Sequence, residues 1–211
     1  MKNFLSLATL AIALSGLAGM EGCTRNDSPD AETLGTAVRA YLAKRGDLCL
    51  AKSIWPIDLT QREIDSGARN ALQLPVLERL GLASSTVAEV DVDDEGTLHH
   101  MKVRRYALTE AGRKFYVMRG TGGGARGGDF CAAHLSLDRI VGWELRGSGP
   151  RRQAVVTYTY QVDAAPWTKD AEVQKVFPVV AGVIRGAGTA QLQETFSRGD
   201  AGWIAVDLQG T

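Results

Sequence analysis

"KVRRYALTEAGRKFYV", Lys102 to Val117, changes texture twice along its length. With the two residues before it, its opening reads "HMKVRRYAL", a run of β character. "TEAGRKF" predicts a short helical turn, and Phe115 to Met118 a return to extended chain. Upstream, "TVAEVDV" (Thr86 to Val92) is a second β run, and the acidic "DDEG" between the runs predicts a turn. The stretch is therefore read as the second strand of a hairpin and its exit.

Helical signals precede this hairpin. "SPDAE" starts a helix, with Ser28 as cap, Pro29 at the first helical position, and Asp30 and Glu32 at the positive end of the dipole. Leu34, Val38, Tyr41 and Leu42 share one face at helical spacing, and Gly46 ends the helix. "LCLAKSIWPIDL" predicts a short strand and a turn. In "DLTQREIDSGARNALQLPVLERLGLASS", Thr60 and Glu63 form a capping-box pattern. Pro75 marks the start of a further helix, with Val76, Leu77 and Leu80 on one side and Gly81 closing it.

Three helices ending in "LERLGLA", then a hairpin closing in "RYALTEAGRKF", resemble a winged-helix domain over residues 31–119. The resemblance implies a fold, and by analogy a DNA-reading helix at "LPVLERLGL". There the chain departs from the pattern. Glu78 and Arg79 are the only charged members, whereas groove-reading helices present Arg, Lys, Asn or Gln near their start. Arg69, Asn70 and Gln73, just before, leave DNA contact open.

Beyond "GTGGGARGG" (Gly120 to Gly128), read as a flexible linker, the pattern turns to strands. "HLSLDRIVGWELR" and "QAVVTYTYQVD" predict a pair joined by "GSGPR". Val155, Thr157, Thr159 and Gln161 alternate with Val156, Tyr158, Tyr160 and Val162, the period of a half-buried strand. "TKDAEVQKVFPVVAGVIRG" is helical in spacing, with Pro178 kinking or dividing it. "TAQLQETFSR" and "GWIAVDL" predict a last hairpin. The expected class is α+β: a winged-helix-like half (31–119), the linker (120–128), and a small antiparallel sheet with one helix (129–211).

The N-terminus speaks to compartment. "MKNFLSLATLAIALSGLAGMEGC" has a positive start at Lys2 and an apolar run from Phe4 to Leu17, the length of a signal h-region and too short to span a bilayer. Cys23 follows Gly22. The arrangement resembles a bacterial lipoprotein signal, with Met20 and Glu21 standing where that family prefers Leu and a small residue. The resemblance implies a signal peptide over 1–22, lipidation of Cys23, a tether over 23–30 and a membrane anchor. Thr24, in place of an Asp that favours inner-membrane retention, leans towards the outer membrane. The alternative is plain secretion with an incidental Cys23.

If Cys23 carries lipid, Cys49 and Cys131 remain, an even pair in an oxidising compartment. A disulfide is the simplest expectation, two buried thiols the alternative. Net charge is zero, with 24 basic and 24 acidic residues, which argues against a protein living on nucleic acid. Between Lys102 and Arg152, however, eleven Lys or Arg face four Asp or Glu. Outside the cytoplasm such a surface meets anionic headgroups or an acidic protein partner.

No motif implies catalysis, a cofactor or a metal. Gly122, Gly124 and Gly127 spell G-x-G-x-x-G, but an extended segment follows where a helix is required. Asp91, Asp93, Asp94 and Glu95 lack the spacing of a calcium loop, since the twelfth position from Asp91 is Lys102. His99 and His100 point to opposite faces of a strand, and His134 is isolated. Trp143, Trp167 and Trp203 either line a groove or fill the core. The leading expectation is a lipid-anchored, periplasm-facing module that binds another envelope component. The alternatives are a DNA-binding regulator and an envelope hydrolase with His134 as its candidate base.

Overall fold

A computed structural model describes residues 28–94, 97–120, 126–149, 152–200 and 202–209. The signal, Cys23, most of the tether, Glu95, Gly122 and Gly124 lie outside them. The class is α+β, with curled antiparallel sheets.

Helix α1 (Ala31–Arg45) starts two residues later than the Ser28 signal suggests, because Asp30 holds the extended cap conformation and its carboxylate accepts the Thr33 N–H at 2.8 Å. Strands β1 (Asp47–Cys49) and β2 (Ile57–Thr60) follow. The capping box of Thr60 and Glu63 opens the short α2 (Gln61–Asp65). Next, α3 (Arg69–Arg79) runs straight through Pro75. The proline was expected to begin a helix. It lies inside one instead, with its ring on the exposed face of the helix and away from the core. Gly81, at φ +71°, closes α3 with Gly81 and Leu82 N–H groups returning to Glu78 and Leu77.

The predicted hairpin is β3 (Ala83–Asp94) and β4 (Thr97–Leu108), with β2 on the other side of β4. The turn "TEAG" is α4 (Glu110–Arg113), capped by Thr109. Its location is fixed by contact with the end of α3: Thr109 Oγ1 donates to the Gly81 carbonyl at 2.6 Å, and Thr109 N–H to Leu82 at 3.1 Å.

The larger sheet is organised by one long strand, β6 (Arg126–Arg146). The order is β1-β6-β7-β8-β9, with β5 (Tyr116–Gly120) also on β6, β7 at Gln153–Ala164, β8 at Gln191–Gly199 and β9 at Gly202–Ala205. The expected linker is shorter than the glycine count suggests: Gly120 ends β5, and Arg126, Gly127 and Gly128 already belong to β6. Gly128 is needed there, because a Cβ would run into the Tyr116 ring. Helices α5 (Ala171–Val176) and α6 (Pro178–Arg185) divide at Pro178 as read.

Two cores result. In one, α1 lays Leu34, Val38 and Leu42 on Leu135, Val156, Tyr158, Tyr160 and Phe196 of the large sheet. The first helix thus packs against strands from the far end of the chain rather than on α2 and α3. In the other, Leu59, Leu74, Leu77 and Tyr106 meet Phe130, Trp167, Val173 and Phe177. Both cores draw on residues from either side of the glycine stretch.

Candidate functional site

The candidate chemistry sits at an open notch in the large sheet. Strand β5 and strand β7 follow the same edge of β6, one along Arg126–Phe130 and the other from Ala133 onward. Cys131 donates its N–H to Phe115 and Ala132 accepts from Ala165, so the start of β5 and the end of β7 converge there. Ala132 is an extra residue in β6: Leu48 pairs with Ala133 while Cys49 pairs with Cys131. Such a bulge bends a strand and interrupts its ladder. A cleft of about 300 Å³ opens at this break, bordered by Lys114, Phe115, Cys131, His134, Asp163 and Pro166 among others.

Across the sheet at this level, three polar residues stand in one row. Asp47 on β1 pairs with His134 on β6, and His134 pairs with Asp163 on β7. Directly opposed residues in antiparallel strands project from the same face. Asp47 Oδ1 lies 2.8 Å from His134 Nδ1. A carboxylate only accepts, so Nδ1 carries the proton, leaving Nε2 of a neutral ring as an acceptor. Lys114 and Asp163, of opposite charge, border the same cleft, and neither has a polar partner among the described residues.

Sequence reasoning found His134 but not its companions. Asp47 and Asp163 are distant in sequence, and only the register of three strands brings them beside it. Cys49 and Cys131 come together as expected, their sulfurs at disulfide distance, tying β1 to β6 next to this row.

The other candidates are scattered. Trp167 is buried in the first core, Trp203 is packed against the second, and Trp143 is partly exposed beside a shallow groove on the β6–β8 sheet. They do not form one groove. His100 pairs with Asp91 across the hairpin, while Asp93 and Asp94 lie in β3. No group of three or more His, Cys, Asp or Glu is placed to hold a metal among the described residues, and none of their helices is long and apolar enough to cross a membrane. In the basic segment Arg105 is paired with Asp58, whose carboxyl it holds below the usual range, and Arg146 with Glu144.

Of the three residues that left DNA contact open, Asn70 and Gln73 are engaged inside the molecule and Arg69 is exposed. Asn70 accepts from the buried Lys52 ammonium, Gln73 donates to the Val176 carbonyl at 2.8 Å, and Arg79 pairs with Asp170 at 2.7 Å. Glu78 accepts from Ser85 at 2.9 Å. Lys52 itself is pushed down to about 8, by burial first and by Arg69 second, with Asp129 opposing.

No protein-family model, curated protein or solved structure matches this chain.

Proposed function

We propose that the protein is a lipid-anchored, periplasm-facing lipoprotein that acts as a non-catalytic binding or accessory module for another component of the cell envelope. The observation that carries this reading is the Cys49–Cys131 pair at disulfide distance, in a chain that opens like an exported lipoprotein. A cystine persists in an oxidising compartment and is rare in the cytosol. The order β2, α2, α3, β3, β4 supports a winged-helix-like scaffold, put to use in protein contact. The engagement of Asn70, Gln73 and Arg79 within the fold weighs against the DNA-binding alternative. One observation favours a second reading, hydrolysis, namely the Asp47–His134 pair at the cleft. An activity unchanged by His134→Ala removes that reading.

The test is the intact mass of protein purified from its native host without reductant, before and after alkylation. The expected species begins at Cys23, carries a lipid and has no alkylatable thiol. A full-length chain with three free thiols overturns the proposal.

A further inference from the structure

We infer that the notch between β5 and β7 is a binding site for an amino-acid-like zwitterion, a free amino acid or the end of a short peptide. The inference rests on the binding-module reading and names the chemistry that module recognises.

Two features of the walls select this class. Lys114 and Asp163 border one small cleft, carry opposite charges, and are bridged neither to each other nor to another described residue. A purely anionic ligand meets Asp163 unfavourably, and a purely cationic one meets Lys114. A ligand carrying both charges has a partner for each. The row of Asp47, His134 and Asp163 adds direction. With Nδ1–H committed to Asp47, a neutral His134 ring leaves Nε2 as an acceptor, and Asp163 is its register partner on β7. An ammonium placed there donates to both, and its carboxylate turns towards Lys114. Phe115, Val117, Ala132, Ala133 and Pro166 supply apolar wall for the ligand's carbon body. At about 300 Å³ the cleft is at the small end of ligand sites, suited to one residue or two.

The walls are also held in place. Asp47 stands two residues from Cys49, and His134 three from Cys131, so the cystine fixes the strands that align them. Preorganised polar groups lose less on binding than mobile ones.

The test is calorimetric titration of the purified full chain with alanine, alanyl-alanine, ethylamine and propionate. Saturable binding of alanine or the dipeptide is expected, with ethylamine and propionate at least about tenfold weaker. Alanine binding well above the dipeptide assigns the site to a free amino acid; dipeptide binding well above alanine assigns it to a peptide end. Asp163→Asn and Lys114→Met are each expected to weaken binding about tenfold without moving the thermal midpoint, since both side chains are otherwise unpartnered among the described residues. No saturation by either zwitterion, or equal binding of the half-ligands, overturns the inference. A chain that binds the zwitterion but lacks the lipid keeps this site while removing its envelope setting.

Discussion

Lys52 shows what a single buried charge does to this fold. It is 3% exposed, and among the described residues its ammonium is partnered by the Asn70 side chain alone. Its folded value of about 8 lies below the 10.5 of an open lysine. Between these values the unfolded chain binds more protons, so stability rises with pH from about 8. Below about 8 both states are protonated and the burial cost is fully present. Lys52→Met keeps the stem and removes the charge. The urea midpoint of the parent is expected to gain on that of the variant between pH 8 and 10; parallel curves would refute the assignment. Gly112 is the opposite case, a residue legible in the "LTEAGR" motif whose reason is not. A Cβ there would overlap the Leu82 carbonyl, where α4 lies on the end of α3. Gly112→Ala is expected to cost about 3 kcal/mol in denaturant melts, because the obstruction is the Leu82 backbone, which cannot rotate away as a side chain does. The motif is readable because local turns need particular residues. Lys52 was not, since its burial depends on Asn70 and Asp129, reached through tertiary packing.

At the scale of elements, the sequence was most legible where local rules act alone. The Thr60 capping box, the β3–β4 hairpin, the alternation of β7 and the break at Pro178 are set by short-range pattern. Reading failed at Pro75 and in the glycine stretch, where neighbours decide: the proline lies on the exposed face of α3, and β5 draws the glycines into β6. The candidate site was legible only in part for the same reason. His134 stands out by residue type, but its row with Asp47 and Asp163 exists only through the register of β1, β6 and β7. The cystine that pins this register closes 82 residues of chain. In the chain-entropy description that is worth roughly 4.5 kcal/mol. Replacing both cysteines by alanine is expected to lower unfolding free energy by about that amount. It is also expected to weaken any ligand of the notch, measured by the same titrations with alanine. A variant as stable as the parent would mean the bridge is not formed in the purified protein.

The whole molecule turns on which parts of the chain share a core. The sequence divides at the glycine stretch, as a change of composition, and the two halves carry different patterns on either side of it. Packing ignores that division. Helix α1 from the first half lies on β6, β7 and β8 of the second, and β1 and β5 complete the larger sheet. Phe130 stands at the meeting point, in ring contact with Trp55 and Phe115 from one side of the glycines and Trp167 from the other. A fragment of residues 31–119 therefore leaves Leu34, Val38 and Leu42 without the sheet that buries them. Residues 129–211 in turn lose the helix over Val156 and Tyr158. Apolar surface of that extent outweighs the few kcal/mol by which small domains are stable. Each fragment alone is expected to show no cooperative thermal transition, and the two mixed together to recover one. The intact chain is expected to melt in a single step, with tryptophan fluorescence and far-ultraviolet circular dichroism coincident. A cooperative transition in the isolated 31–119 fragment would show that this half stands on its own, with α1 free to turn back onto α2 and α3.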